Sequence, residues 1–221
     1  MANDFFILAI KKMNLFLLTV GSLLSIVNPL GTIPVFVGLT EGKEKKQITK
    51  IAFWTSINTL IILLLSFFLG KYMLSFFGIS LNALKIAGGL IITSSGYALL
   101  TGSFSKHKGM KKGVKDDAFS RSDVSLTPLA IPMLAGPGAI SLLITYNEVY
   151  HFDIDKLAIV GSIVSVSVIT FALLNISRLI VKILGASGIN ALSRIIGFII
   201  IAIGVEFILS TLLYLSENII R

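Results

Sequence analysis

Six apolar stretches divide this chain, at about Leu15–Leu39, Ile48–Leu69, Leu81–Thr101, Leu126–Tyr146, Lys156–Ser177 and Ile195–Leu215. A helix needs ~20 apolar residues to cross a hydrocarbon layer of ~30 Å, and each stretch is near that length. Backbone polar groups cannot stay unpaired in lipid, so a spanning segment is either a helix or a strand of a closed barrel. The alternation of barrel strands is absent, which leaves helices. Composition agrees: 55% of residues are hydrophobic and 14% charged, against about 25% charged in a soluble domain. The expected class is an all-α membrane protein of six transmembrane helices, forming a single membrane domain over 1–221. The first stretch leads into Pro-containing sequence without a small-residue cleavage pattern, so it reads as a retained helix.

The net charge is +8. In a soluble protein that would raise nucleic acid as a partner; here the basic residues fall in loops between apolar runs, where the partner is anionic membrane lipid. Loops 1–2, 3–4 and 5–6 carry 13 Lys and Arg, among them Lys43, Lys106, Lys112 and Arg178. The opposite side carries five (Lys11, Lys12, Lys71, Lys156 and Arg221), with Lys85 snorkelling from the third helix. The positive-inside rule then puts the first set in the cytoplasm and both termini outside. There is no cysteine, and His107 and His151 lie in loops. This excludes a disulfide framework and a thiolate metal site. No phosphate loop, zinc pattern or nucleophile motif is present, so neither a cofactor nor a metal is expected.

A shift of 108 positions lays the second half of the chain on the first without gaps. Asn82-Ala83-Leu84 falls on Asn190-Ala191-Leu192, Gly89 on Gly197, Ile91-Ile92 on Ile199-Ile200 and Gly96 on Gly204. Seven of the 19 positions from Asn82 to Leu100 are identical. The same shift places Pro29 on Pro137. Each half holds three helices, an odd number, so two consecutive copies insert with opposite topology: two inverted three-helix repeats. The boundaries read as about 10–101 for repeat one, a cytoplasmic loop at 102–125, and about 118–209 for repeat two. Glycines seven apart share a helix face, so Gly89/Gly96 and Gly197/Gly204 give two smooth surfaces for close helix packing.

Helices 1 and 4 are expected to be broken at Gly/Pro motifs. Asn28-Pro29-Leu30-Gly31-Thr32-Ile33-Pro34 interrupts the first, leaving Leu15–Val27 as a half-helix too short to cross alone. Pro128, Pro132 and Gly136-Pro137-Gly138 interrupt the fourth. Proline removes a donor and clashes with the preceding turn, and glycine permits unusual dihedrals. Paired interruptions at corresponding places in two halves are the best sequence pointer to a transporter's midplane site. Half-helix N-termini suit a carboxylate, and half-helix C-termini suit an ammonium or a cation. The candidate substrate-binding residues are Asn28, Pro29, Leu30, Gly31, Thr32, Ala135, Gly136, Pro137, Gly138, Ala139 and Ile140. No charged side chain lies in either break, so a small neutral amino acid fits better than lysine or phosphate.

Asn28-Pro29-Leu30-Gly31-Thr32-Ile33-Pro34-Val35-Phe36 and the run Pro128-Leu129-Ala130-Ile131-Pro132-Met133-Leu134-Ala135-Gly136-Pro137-Gly138-Ala139-Ile140 resemble the two signature stretches of the MarC family. The resemblance spans nearly the whole chain. It implies a membrane transporter of the lysine-exporter superfamily. Through members of the SnatA type it implies small neutral amino acids such as glycine and alanine, with proton coupling. Glu206 is the one acidic residue well inside a span and is the candidate for carrying a coupling proton; sodium held by break carbonyls is the alternative. Asn58 and Asn175 read as interhelical hydrogen-bonding residues. The expected function is a secondary transporter in the inner membrane. A channel, or an exporter of another small polar solute, shares the broken helices and stands as the alternative.

Overall fold

The computed structural model describes residues 2–101 and 125–219. Among the described residues eight helices follow one another and there is no strand. They are α1 Ala2–Val27, α2 Pro29–Leu39, α3 Lys45–Phe77, α4 Leu81–Leu100, the π-helical α5 Ser125–Leu134, α6 Pro137–Val149, α7 Asp153–Asn175 and α8 Ser177–Ile219. Among the described residues five segments are long and apolar enough to cross a membrane: Ile10–Ile33, which includes the turn at Asn28, Lys45–Phe77, Leu81–Leu100, Asp153–Asn175 and Asn190–Glu217. The loop expected to be cytoplasmic, with His107 and the basic cluster around Lys112, falls outside the described residues.

The fourth stretch is broken at its Gly/Pro motif as expected, into two short helices, α5 and α6, parted at Ala135 and Gly136. Pro132 and Pro137 have no N–H to continue an α ladder. The bond that survives is the wider π register, from Ala135 N–H to Ala130 O at 2.9 Å. The first helix starts earlier than Leu15. It runs 26 residues from Ala2, about 39 Å of helix, so the segment before the break is no short half-helix. No proline stands between Ala2 and Val27 to stop it, and the charge it carries inward is met: Lys12 pairs with the buried Asp155 of α7.

The remaining ends follow local chemistry. Glu44 N–H donates to Gln47 Oε1 at 3.0 Å, so a side chain meets the backbone where α3 opens. Gly78, at φ 65°, closes it in the left-handed conformation. Ser80 Oγ caps α4 on Ala83 N–H at 3.1 Å. Helix α8 bends at Gly185 (φ 61°, ψ 178°) before its apolar span.

Element boundaries repeat at the spacing read from the sequence. Helices α2 and α6 open on Pro29 and Pro137, and α3 and α7 on Lys45 and Asp153, each pair 108 positions apart. The end of α3 at Gly78 has a near counterpart in the α8 bend at Gly185, 107 positions on. The most extensive contact is α4 with α8, and its glycines meet reciprocally. A Cβ on Gly96 would stand 2.6 Å from Gly197 O, and one on Gly197 2.7 Å from Gly96 O; Gly89 and Gly204 meet the same way, at 2.7 Å each. A shift of 108 exchanges these two contacts.

Among helix pairs with appreciable contact, only α7 with α8 lies within one half of the chain; every other pair joins residues before 102 to residues after 124. The halves are therefore interleaved rather than set side by side. The main core gathers Leu23 and Val27 of α1, Phe36 of α2, Phe67 of α3, Leu134, Leu142 of α6 and Ile163 of α7, all under 2% exposed. The outer surface is as apolar as the core, with Leu18, Phe76 and Phe198 standing out, and buried Thr and Ser lie within. That arrangement suits lipid as the outer solvent. The two spanning asparagines bond between helices: Asn58 Nδ2 donates to Ser125 Oγ at 3.4 Å, and Asn175 Oδ1 accepts from Thr49 Oγ1 at 2.8 Å. At the start of α8, Arg178 Nη2 donates to Thr40 O at 2.8 Å, closing the carbonyl end of α2.

Candidate functional site: a cavity between two helix breaks

At the first break α1 ends and Asn28 turns the chain into α2. Its N–H still reaches Leu24 O at 3.0 Å. Pro29 then withholds the next N–H, the one that would close on Ser25. Asn28 adopts φ 46°, ψ 63°, and among the described residues it is the one non-glycine with positive φ. Asparagine tolerates that conformation better than most residues because its short side chain can bond locally. Here Oδ1 accepts Gly31 N–H at 3.0 Å, capping α2. At the second break Gly136 occupies the same place before Pro137, with φ −78°, ψ 168° and no side chain to cap α6.

Between the two breaks lies a cavity of about 80 Å³. One wall is Ile26, Val27 and Asn28; the facing wall is Met133, Gly136, Pro137 and Gly138. Helix α4 contributes Ile92, Ser95 and Leu99, and α8 contributes Ile200. No charged side chain lines it. Asn28 and Ser95 are the residues with polar side chains among those lining it; the Asn28 Nδ2 is buried and has no hydrogen-bond partner.

Of the residues singled out in the sequence, Asn28, Gly136, Pro137 and Gly138 come together on this cavity. The others do not line it. Gly31 sits beneath the Asn28 side chain, where a Cβ would stand 2.9 Å from Asn28 Cγ. Thr32 is buried and bonds back to Asn28 O at 3.3 Å. Pro29 is buried, Leu30 and Ile140 are half-buried, and Ala135 and Ala139 belong to the buried core. Glu206 is exposed on α8, two residues from Gly204, which faces α4, and does not line the cavity. Two residues along a helix turn a side chain through ~200°, just over half a turn, so the carboxyl stands on the face away from α4.

Sequence reasoning missed the side walls. Ile92 and Ile200 are 108 positions apart, each 2% exposed or less, and both line the cavity. Their identity was visible in the repeat, but isoleucine in a membrane helix carries no signal of its own; only the glycines beside them say which face turns inward.

These features define an all-helical, multi-pass membrane protein with interrupted helices around a small internal cavity. The chain belongs to the MarC family of integral membrane proteins, which matches residues 13–215. It is 34% identical to a UPF0056 membrane protein of Buchnera aphidicola subsp. Baizongia pistaciae, over 86% of this chain and 89% of that one. It is 36% identical to a UPF0056 membrane protein of Methanocaldococcus jannaschii, over 88% and 94%. It is 29% identical to the UPF0056 inner membrane protein MarC of Citrobacter koseri, over 89% and 93%. No solved structure matches the chain.

Proposed function

We propose that this chain is a secondary transporter of small neutral amino acids, of the glycine, alanine and serine class, working by alternating access in the inner membrane. The observation that carries the reading is the small cavity between two helix breaks, walled without charge. A net charge would find no counter-charge there. A zwitterion finds donors at a helix N-terminus and acceptors at a helix C-terminus. The relatives named as inner membrane proteins support the location. Counterflow of labelled glycine in proteoliposomes tests the reading; conductance without counterflow would point to a channel instead.

The proposal includes six membrane crossings, as two inverted repeats, with α1–α2 and α5–α6 each counted as one interrupted crossing. The reciprocal glycine contacts and the equal spacing of helix starts support it. Because the halves interleave, the bodies that move must each combine helices from both. The predicted topology has both termini outside. A reporter fused after Arg221 should read outside, and one placed within the Lys106–Lys115 loop cytoplasmic; a cytoplasmic C-terminus would overturn the orientation and the inversion together.

Coupling to protons or to sodium completes the cycle. Glu206 stands away from the cavity, so Glu206→Gln is expected to leave glycine exchange intact, and proton-driven accumulation with it. Loss of accumulation with exchange preserved would return the coupling role to Glu206.

A further inference from the structure

Away from the breaks, the seam between α3 and α7 carries a groove of about 480 Å³. Helix α3 lines it with Lys46, Gln47, Thr49, Lys50 and Phe53, and α7 with Phe171. Positions 46, 50 and 53 fall within about 60° of one another around a helix, so two lysines and a ring share one stripe. Phe53 and Phe171 meet edge to face, 6.1 Å between centroids, and form an apolar floor. Thr49 and Gln47 are committed elsewhere: Thr49 Oγ1 donates to Asn175 Oδ1 at 2.8 Å, and Gln47 Oε1 accepts Glu44 N–H at 3.0 Å. Both lysines are exposed, and among the described residues neither forms an ion pair. Like charges four apart on a helix repel each other, and a bound anion removes that repulsion.

Orientation by positive charge accounts for lysines in a loop. It does not account for two lysines set over a phenylalanine floor. The floor continues onto the outer surface of α3: Phe53 is 47% exposed, and Trp54, 5.9 Å from it edge to face, is 48% exposed. Cationic groups at the loop end and rings toward the span match the two parts of an anionic glycerophospholipid, its phosphate and its acyl chain. We propose that the groove is a binding site for an anionic phospholipid, with the phosphate between Lys46 and Lys50 and the start of an acyl chain on Phe53 and Phe171. The lysines come from the first half of the chain and Phe171 from the second, so the lipid joins the halves beside the Thr49–Asn175 hydrogen bond. The site is one-sided. The 108-residue shift lays Lys46, Lys50 and Phe53 on Ile154, Ala158 and Gly161, and the related surface of α7 offers neither charge nor ring. The inference does not rest on the transport reading.

Trp54 is the one tryptophan of the chain, so its fluorescence reads this place alone. The full-length protein is reconstituted in phosphatidylcholine holding a few mole per cent of a lipid brominated on its acyl chains. Brominated phosphatidylglycerol should quench Trp54 well beyond brominated phosphatidylcholine at the same mole fraction. One lysine at an anionic surface is worth about a fivefold preference, so two predict an enrichment of about tenfold or more. Lys46→Gln combined with Lys50→Gln should bring the two lipids level. Lys43→Gln combined with Lys182→Gln removes the same charge from positions outside the groove and should keep the excess. Equal quenching by the two lipids in the wild type overturns the site, and that comparison needs no variant to fold. Equal loss of the excess in both double variants also overturns it, because net surface charge would then be the cause. Inorganic phosphate that abolishes the excess where chloride of equal ionic strength does not would make the groove a site for a soluble anion and overturn the lipid as its occupant.

Discussion

Gly96→Ala and Gly197→Ala are each expected to deplete folded protein, seen as loss of the monodisperse peak in mild detergent and a melting temperature lowered by many degrees. The added methyl at position 96 would stand 2.6 Å from Gly197 O and 2.8 Å from Ile201 N; the one at 197 would stand 2.7 Å from Gly96 O and 2.8 Å from Leu100 N. These are backbone atoms, so no rotamer change relieves them and the helices must part. Overpacking of a tight contact costs about 1–3 kcal/mol where side chains can shift; a backbone contact belongs at or beyond the upper end. In lipid the loss is not offset elsewhere, because close packing replaces the hydrophobic drive between helices. Gly21→Ala is the control: nothing lies within 4 Å of its Cβ, and the helix propensity gained is worth about 1 kcal/mol. Equal stability of Gly96→Ala and Gly21→Ala would mean that α4 and α8 do not approach this closely.

The same contact shows why parts of this molecule could be read from its sequence and others could not. Breaks are written in residue types with strong backbone consequences, and Pro29 and Pro137 each open a helix where expected. The repeat is written in glycines, because only glycine permits the α4–α8 approach. Helix faces are another matter. In water an apolar stripe marks the inward side. Here Phe198 and Leu90 face out while Ile92 and Ile200 face in, and hydrophobicity does not separate them. The side walls of the cavity were therefore invisible, and so was the outward direction of Glu206. The length of α1 was missed for a related reason: Lys11 and Lys12 looked like the end of an apolar run, but a charge that finds Asp155 across the bundle does not stop a helix. The π-helical turn of α5 follows from where its prolines withhold donors, and periodicity alone does not distinguish it from a kinked α-helix.

Gly138→Val should abolish glycine transport in a protein that still folds and inserts. A Cβ at Gly138 would stand 2.8 Å from Ile92 Cγ1 and 3.3 Å from Ile26 Cγ2, both walls of the cavity. Unlike the α4–α8 contact, these are side-chain atoms beside open space, so they yield and the volume is taken from the cavity. At about 80 Å³ there is little to lose, and two further methyls fill most of what a small solute would occupy. Gly31→Val acts on the same site from below, by driving the Asn28 side chain off the α2 cap. Each variant should lower counterflow at least tenfold, while Gly161→Ala, whose Cβ meets Phe16 at an ordinary 3.6 Å, should stay near wild type. Graded filling sharpens the result. Gly138→Ala should retain part of the glycine flux and lose more of the serine flux, since the larger solute is the first to be excluded. In the wild type, glycine, alanine and serine should compete with one another, whereas lysine and glutamate find no counter-charge and tryptophan finds no room. Tryptophan competing as well as glycine, or normal transport by both valine variants, would place the substrate elsewhere in a fold that could still be correct.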